Sequence, residues 1–580
     1  MNVNNSMILG IVGGGPAALL LLKNMVENSI NLERIYIFEK NDRMGVGMPY
    51  GKDGSSLEHV ANVSANELPN FEISFEDYIE SHPPESFADF LPRNFNPYKV
   101  IPRLLLGNYL EFVFKFYIRK AKKQGTGVIF HTNCEVRDIV KNNSDNSYSI
   151  ITSKENVNVH FAVLCTGHYW PKTYEGLVEG WFDSPYPPSK FTSPSNHTVA
   201  VRGSSLTAVD AVKTLARLNG TFIRLENGNL KYKLNDTSQN FKIEMFSTGG
   251  FLPALRFHSE DQAYSGKWIM SLDEIYEYKQ NHGGFIDLDY VYDKSFKKPL
   301  KNRDPEFFET IKDLSIEAFV EKMIGIRREL DSFTLFQAEY KEAERSIHRK
   351  QSISWKECLA AFSYAMNYPA KHFSAEDMIR LRKTMMPLIS VIIASLPQSS
   401  YEELIALYEA DILDLTQVDK ESYVEPHSKV GAVYHYKSVD DKKIEQHYPL
   451  FIDAVGQQPL EVKDIPFPGL QKDDLVSAAY LNFKNNDEAS RLINADIQVH
   501  KGFNNNYYMN VHGVEINDHF QSLDPFGAIV KGLYIMAVPF IGGLNPDYSG
   551  LDFCDTAGKR VALSIGEELS DETSEEKVIV

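Results

Sequence analysis

A glycine-rich turn near the N-terminus is the feature that most constrains the fold of this chain. An apolar segment over residues 8–12 leads into Gly13 and Gly15, and an alanine- and leucine-rich run follows. Gly13 permits a tight turn, Gly15 lets the backbone approach a pyrophosphate closely, and Ala18 lets the following helix pack on a sheet. A second apolar segment ends at Glu39, at the spacing where an acid accepts hydrogen bonds from ribose hydroxyls. The pattern predicts a strand, turn, helix and strand that bind a dinucleotide.

A weaker turn of the same kind follows an apolar segment over residues 198–202. Ser205 stands where the second glycine of the pattern would be, which leaves less room for a pyrophosphate. Serine and threonine hydroxyls can still donate to a phosphate at the helix N-terminus, or simply cap the helix. We therefore expect a nicotinamide dinucleotide here, with an ordinary capped helix as the alternative. The residues expected to contact it are Gly203, Ser204, Ser205, Leu206 and Thr207.

The order of the remaining segments distinguishes the two dinucleotides. Between the turns, an apolar strand over residues 161–164 ends in Thr166 and Gly167, where two-dinucleotide flavoproteins return the chain to the FAD unit. A strand over residues 532–538 leads to a helix that begins near Leu551, and its N-terminus favours negative charge on a reduced ring. This order predicts FAD in the first site and NADH or NADPH in the second. The residues expected to hold FAD are Gly13, Gly15, Pro16, Ala17, Ala18, Glu39, Lys40, Arg103, Thr166, Gly167, Asp453, Gly543, Asn545 and Leu551.

A family resemblance is carried by several specific segments. These segments are 46–50, 102–109, 166–171, 205–207, 451–457 and 462–470. They resemble the bacterial FAD/NAD(P)-binding flavoproteins of the YdhS type, and the resemblance covers most of residues 7–470. More distant relatives with the same plan include N-hydroxylating and other single-component flavin monooxygenases. The resemblance implies a two-dinucleotide flavoprotein fold, but it does not supply a reaction, because one fold hosts many activities.

The predicted fold class is α/β, with two Rossmann-like dinucleotide-binding domains and a large helical insertion. The insertion either covers a substrate pocket or serves as a buttress or a homodimer surface, since helical amphipathicity says only that one face is buried. The expected boundaries are 1–197 and 456–566 for the FAD domain, 198–300 and 419–455 for the NAD(P)-like domain, 301–418 for the insertion, and 567–580 for an acidic, mobile tail.

The net charge and the cysteines argue against several classes of protein and of site. The net charge of −18 disfavours nucleic acid or an anionic membrane as the main partner. The four cysteines include no C-x-x-C pair, so neither a redox disulfide beside the flavin nor a structural zinc site is expected. No signal peptide is visible, and the longest apolar stretch, over residues 385–396, is too short to span a bilayer. These features predict a cytoplasmic protein that acts on a small molecule.

Candidate catalytic residues lie in a polar loop over residues 57–66. Related flavoproteins bring polar groups near the flavin ring here, so Asn62 and His59 are candidates for contact with the flavin or bound oxygen. A turn-stabilising role for Asn62 is the alternative. Thr248 stands where the family relative carries an arginine able to read a 2′-phosphate, so preference for NADPH is in doubt unless Arg202 or Arg256 compensates.

The segments together predict an FAD-dependent NAD(P)H oxidoreductase. By elimination we expect oxygen insertion into a small polar metabolite, with N-hydroxylation of an amino acid as the example that fits. Without a cysteine pair, disulfide reduction lacks its relay. Two alternatives stay open: a plain NAD(P)H oxidase or dehydrogenase, and a flavin-containing sensor whose insertion is an interaction surface.

Overall fold

The computed structural model describes residues 7–142, 144–145, 147–259, 268–438, 441–493, 498–548 and 550–578. The first dinucleotide unit is built on a sheet whose strands run in the order β23–β24–β9–β1–β2–β5, parallel except for β23. Its strands are β1 (Ile8–Val12), β2 (Arg34–Phe38), β5 (Gly127–His131), β9 (Phe161–Leu164), β23 (Gln521–Leu523) and β24 (Ile529–Ile535). Helices α1 (Pro16–Glu27), α4 (Arg103–Lys123) and α18 (Leu551–Val578) accompany this sheet.

The contact between α1 and α18 joins the two ends of the chain. A Cβ atom at Gly558 would lie 3.0 Å from the backbone nitrogen of Leu21, so the helices approach as closely as a glycine allows. Lys23 of α1 is buried and forms an ion pair of 3.0 Å with Asp555 of α18. The last helix therefore completes the core of the first unit.

The second dinucleotide unit is a fully parallel sheet in the order β10–β19–β11–β14–β15. Its strands are β10 (Trp181–Phe182), β11 (Thr198–Arg202), β14 (Lys242–Ser247), β15 (Leu413–Gln417) and β19 (Leu450–Asp453). Helix α5 (Leu206–Asn219) follows β11 and carries an apolar face into the core of this sheet. Two parallel sheets of this kind in the described residues give the α/β, two-Rossmann fold class that the sequence predicts.

Ten helices of the described residues lie between β14 and β15. They are α6 (Leu272–Asn281), α7 (Leu288–Tyr292), α8 (Lys298–Arg303), α9 (Pro305–Glu309), α10 (Ile316–Arg328), α11 (Ser332–Arg349), α12 (Ser354–Met366), α13 (Ala375–Arg380), α14 (Met386–Ile392) and α15 (Gln398–Glu409). Helices α6 to α14 are called the helical body below. Its buried side chains, such as Ile275 and Phe362, join the same apolar cluster as Leu9 of β1. The helical body thus shares its core with the first unit.

The observed helical boundaries differ from the expected 301–418. The helices begin at Leu272, where Ser271 caps α6 by accepting a hydrogen bond from the backbone nitrogen of Glu274. At the other end, Leu404 and Leu407 of α15 are buried in the core of the second sheet, and β15 is a strand of that sheet. The early helices α6 to α8 are short, so their apolar periodicity is weak evidence in the sequence.

Smaller sheets and helices complete the described chain. The strands are β3 (Val60–Ser64) with β4 (Val100–Pro102), β6 (Val136–Asn142) with β7 (Ser147–Thr152) and β8 (Asn156–Val159), β12 (Gly220–Arg224) with β13 (Leu230–Leu234), β16 (Tyr423–Pro426) with β17 (Ala432–Lys437) and β18 (Lys443–Tyr448), and β20 (Ala478–Asn482) and β21 (Val499–Lys501) with β22 (Tyr507–Val514). The remaining helices are α2 (Gly47–Tyr50), α3 (Phe75–Ser81), α16 (Pro468–Lys472) and α17 (Asn486–Leu492). Because α18 continues to Val578, the backbone shows no boundary at the expected tail start of 567.

Candidate functional site

The first glycine turn has the geometry of a phosphate-binding turn. Gly13 has a φ of 101°, and a Cβ atom there would lie 2.5 Å from the carbonyl oxygen of Cys165. Gly15 is the N-cap of α1 and offers no capping side chain, while Pro16 occupies the first helical position. The N-terminus of α1 is therefore bare backbone, which suits an anion because first-turn N–H groups lack partners in the helix.

The acid at the end of β2 lies directly beside this turn. Glu39 is 6% exposed, its Oε2 accepts from the backbone nitrogen of Gly14 at 2.8 Å, and its Oε1 accepts from that of Asn41 at 2.8 Å. The neighbouring Lys40 is exposed. These bonds fix the Glu39 carboxylate at the edge of the turn, and its contact with a ribose stays a prediction.

Two residues expected to hold FAD each carry a buried polar atom that lacks a partner among the described residues. These atoms are Oγ1 of Thr166, which follows β9, and Oδ1 of Asn545, which precedes α18. Asn545 is itself anchored, since its Nδ2 donates to the carbonyl oxygen of Asn367 at 2.9 Å. Buried polar atoms without partners are rare in proteins, so these two fit a site that a bound polar ligand completes. Gly167 and Gly543 lie beside them, and Leu551 begins α18.

The sequence predicts Asp453 as an FAD contact, but the structure places it elsewhere. Asp453 ends β19, which lies in the second sheet next to β11. Its Oδ2 forms an ion pair of 3.2 Å with Arg202 of β11. The expected boundaries already put residues 419–455 in the NAD(P)-like domain, and β19 lies there, so the expected contact of Asp453 with FAD has no support from this geometry. The same pairing means that Arg202 is already bound to an acid rather than free for a 2′-phosphate.

The second turn keeps the geometry of the first with different side chains. Gly203 has a φ of 118°, and a Cβ atom there would lie 2.6 Å from the carbonyl oxygen of Ala454. Ser204 donates from Oγ to the carbonyl oxygen of Phe251 at 2.7 Å, so it is used within the protein. Ser205 is the N-cap of α5, and its side chain makes no capping bond. The Ser205 hydroxyl and the first turn of α5 therefore stay available to a phosphate.

A cavity of about 580 Å³, here called the central cavity, lies where the two units and the helical body meet. The second unit contributes Leu206 and Thr207 from the N-terminus of α5, and the first unit contributes Gly550 and Leu551 at the N-terminus of α18. The helical body contributes Tyr364 of α12 and its neighbours. The cavity is thus bounded by two helix N-termini and by the insertion.

Arg103 lies on the wall of the central cavity and ties the two units together. Its Nη1 forms an ion pair of 2.5 Å with Asp210 of α5, and its Nε donates to the carbonyl oxygen of Val60 at 3.0 Å. Tyr186 donates to the same Asp210 oxygen at 2.6 Å. The charge of Arg103 is therefore matched by Asp210, so its predicted contact with FAD is without support from this geometry.

The two catalytic candidates lie in different environments. Asn62 is exposed on the cavity wall, where its backbone oxygen and Oδ1 accept from Nη1 of Arg256 at 3.0 and 3.2 Å. His59 is 1% exposed, and its Nδ1 accepts from the backbone nitrogen of Ser56 at 3.0 Å. Nε2 of His59 lies 3.1 Å from Oγ1 of Thr214 in α5. With both ring nitrogens engaged, His59 anchors its loop to α5 and does not face the cavity, contrary to its expected catalytic role.

Sequence reasoning missed two carboxylates on the cavity wall. Asp547 is half-buried, and its Oδ2 accepts from Oγ of Ser363 at 2.7 Å. Asp552 lies in the first turn of α18. Loss of bulk water around the carboxyl, together with the charge of Asp547, raises the pKa of Asp552 to about 6. The available signal was the pair of acids flanking the start of the last helix.

The fold and the site define a flavoprotein with two dinucleotide-binding units. Residues 10–169 match the FAD-NAD(P)-binding family, and residues 271–393 match the YdhS-like middle domain, which coincides with the helical body. These matches confirm the predicted resemblance to the YdhS type and the predicted cofactors, FAD and a nicotinamide dinucleotide.

A curated relative and two solved structures are similar to this chain. The uncharacterized protein YdhS from Escherichia coli (strain K12) is 26% identical over 468 residues, which is 80% of this chain and 86% of the relative. L-lysine 6-monooxygenase from Pseudomonas syringae is 10% identical, with 97% of this chain and 99% of that chain covered and a TM-score of 0.47. Bacillithiol disulfide reductase from Staphylococcus aureus is 12% identical, with the same coverage and a TM-score of 0.42. Such weak structural similarity says nothing about the reaction of this chain.

Proposed function

We propose that this protein is an FAD-dependent NAD(P)H oxidoreductase that inserts oxygen into a small polar molecule. The observation that carries the proposal is the composition of the central cavity. Thr207 from the nicotinamide unit, Leu551 from the flavin unit and Tyr364 from the helical body line one space. A space shared by both nucleotide units suits transfer of a hydride between them, and the third wall suits a substrate.

The residues expected to hold FAD have the space and the polar atoms that FAD requires. Gly13 and Gly15 give room for the pyrophosphate at the N-terminus of α1, and Glu39 lies beside them. The unpartnered Oγ1 of Thr166 and Oδ1 of Asn545 would gain a polar partner. When bound, FAD supplies the electron transfer and the reaction with oxygen, so the protein need only bind, orient and shield.

The chain's own residues would perform those tasks around the cavity. The N-terminus of α18 presents backbone N–H groups, which favour negative charge close to Leu551. The helical body forms part of the cavity wall, and a wall that keeps bulk water out would protect reactive species from hydrolysis. Asn62 also lines the cavity, where its amide could hold a substrate or oxygen.

The cysteines favour this reaction over disulfide reduction. All four are free, with Cys134, Cys165 and Cys358 buried and Cys554 half-buried. Burial raises the pKa of Cys554 to about 12, which suppresses the reactive thiolate. A dithiol relay is therefore unsupported on chemical grounds.

The test compares cofactor consumption with product formation. Purified protein is mixed with NADH or NADPH, oxygen and a panel of amines and amino acids, and hydroxylated product and hydrogen peroxide are quantified by mass spectrometry and a peroxide assay. We expect one substrate class to speed cofactor oxidation and to give product in place of peroxide. Peroxide equal to cofactor consumed across the whole panel identifies a plain oxidase and rejects oxygen insertion.

A sensor is the second candidate, and Ser205 is the observation that favours it. A serine in place of glycine leaves less room for a pyrophosphate at α5. Anaerobic mixing with NADH and with NADPH separates the two. A flavin that bleaches within seconds supports the oxidoreductase, and a flavin that stays oxidised with both supports the sensor.

A further inference from the structure

We propose that the central cavity recognises an organic cation through Asp547 and Asp552, and that its substrate is an amine without a balancing carboxylate. The inference deepens the proposed function and rests on it for the reaction, although binding of the cation can be measured by itself. It follows from the charges on the cavity wall.

The Asp547 carboxylate has no cationic partner among the described residues. Its one side-chain hydrogen bond is from Ser363 of α12 at 2.7 Å. Asn367 holds its backbone, because Oδ1 of Asn367 accepts from the Asp547 nitrogen at 2.8 Å. Burial raises the pKa of Asp547, because an unpaired charge is unfavourable away from water, and a bound cation would stabilise the ionised carboxylate.

Asp552 adds a second carboxylate to the same wall, in the first turn of α18, where backbone N–H groups rather than a side-chain cation stabilise it. In the part of the chain that the structure describes, no lysine, arginine or histidine lies within ion-pair distance of it. The charge of Asp547 contributes to raising the pKa of Asp552 to about 6. A cation bound between or beside these groups would relieve that repulsion.

The cations on the wall are, by contrast, already matched. Within the described ranges they are Arg103, Arg256 and Lys356. Arg103 pairs with Asp210 at 2.5 Å, Arg256 pairs with Glu67, and Lys356 pairs with Glu342 at 2.8 Å. The remaining wall acid, Glu357, pairs with Arg303 at 2.5 Å. Asp547 and Asp552 are therefore the two carboxyl groups of the described wall that have no side-chain cation as a partner.

His168 is an independent sign of a missing ligand. It lines the central cavity, and its buried Nδ1 has no hydrogen-bond partner in the described structure. Burial lowers the pKa of His168, so the ring is neutral near pH 7 and adds no positive charge. When the proton of the neutral ring is on Nε2, Nδ1 can accept a hydrogen bond from a ligand N–H.

These charges favour an amine over an amino acid. An α-amino acid would bring a carboxylate, which needs a free guanidinium or ammonium group on the wall. Each described cation there is already paired with an acid, so the carboxylate would be repelled by Asp547 and Asp552.

The experiment uses three ligands of equal length: pentylamine, pentanol and pentanoate. Each is titrated into the purified flavoprotein at pH 7.5, and its binding is measured by calorimetry and by the change in flavin absorbance. We expect pentylamine to bind at least about 10-fold more tightly than pentanol, and pentanoate to bind least, because a charge-assisted hydrogen bond is worth about one to two decades of affinity.

The matched variants are Asp547→Asn and Asp552→Asn, which keep side-chain size. Each should weaken pentylamine about 10- to 100-fold and leave pentanol unchanged. Glu421→Gln, at an exposed surface pair with Lys437, is the control and should alter nothing. The flavin content of each variant shows whether its fold is intact. The comparison of the three ligands on the wild-type protein does not depend on any variant.

Equal affinity for pentylamine and pentanol, preferential binding of pentanoate, or amine affinity unchanged in both variants would overturn the inference. Failure of the proposed function has a different signature. Amine binding that depends on Asp547 without any oxygenated product upholds the cation site and rejects oxygen insertion. Oxygenated product from neutral compounds only, with both variants unaffected, rejects the cation site alone.

Discussion

A single substitution at Gly15 should weaken FAD binding without unfolding the protein. A Cβ atom there would lie 3.3 Å from Cα of Gly47, which is tight but not prohibitive. In Gly15→Asp, the carboxylate would meet the pyrophosphate at the N-terminus of α1, and close like charges cost several kcal/mol. We expect FAD affinity to fall about 100-fold or more, measured as the flavin-to-protein ratio after reconstitution.

The control for this change is Gly325→Asp in α10, where a Cβ atom has open space. It adds the same charge away from the glycine turn and should keep full flavin content. Normal flavin loading in Gly15→Asp would show that the first turn is not the pyrophosphate site.

Glu515 is a residue whose ionisation should weaken the fold. It is partly buried, accepts from the backbone nitrogen of Tyr480 at 3.0 Å, and burial raises its pKa from 4.5 to about 7. The unfolded chain ionises Glu515 near pH 4.5, whereas the folded protein keeps its proton until about pH 7. Stability is therefore lost as pH rises through this window.

Glu515→Gln should remove that loss. The free energy of unfolding of the variant minus that of the natural protein should rise by about 3 kcal/mol from pH 4.5 to pH 8, since one pKa unit is about 1.4 kcal/mol. Urea unfolding at the two pH values measures the gain. A difference between the two proteins that does not change with pH would contradict the assignment.

At the scale of elements, the ion pair between α4 and α5 should fix the two units against each other. Arg103 and Asp210 are 2.5 Å apart, and their side chains are only 13% and 7% exposed. Arg103→Met leaves Asp210 with Tyr186 as its remaining side-chain partner. Removing one member of a buried pair costs roughly 3 to 5 kcal/mol.

The double variant tests whether this cost comes from the pair. Arg103→Met combined with Asp210→Asn should be less destabilised than the sum of the single variants, because both remove the same interaction. Thermal unfolding of the four proteins gives the coupling. Additive effects would show that the two side chains act independently.

The sequence predicts best those elements whose signals lie within a short stretch of the chain. The unit β1–α1–β2 and the strand before Thr166 follow from glycine turns and apolar periodicity, and both are present. Each of these signals lies within about 30 residues.

Features set by distant contacts were not predictable in the same way. His59 contacts α5, some 150 residues away, and Asp453 forms an ion pair with Arg202, 251 residues away in the chain. The start of the helical body was missed because α6 to α8 are short segments stabilised by packing against the rest of the chain. The central cavity exists only after three parts of the chain meet.

At the scale of the whole molecule, the helical body belongs structurally with the flavin unit. Most of its buried residues join the apolar cluster of the first sheet, whereas Phe333, Phe336 and Ala343 of α11 belong to the core of the second sheet. The insertion therefore covers the cavity as part of a common core. A homodimer and a cytoplasmic location stay predictions, and in the described residues no helix is long and apolar enough to cross a membrane.

The central claim is that the first unit binds FAD and the second delivers electrons to it. The most direct measurement is the absorption spectrum of the purified protein, followed by anaerobic addition of NADH and, separately, NADPH. We expect flavin bands that correspond to nearly one FAD per chain and that bleach within seconds with at least one of the two nucleotides. A protein without flavin bands that also takes up no FAD on reconstitution would contradict it.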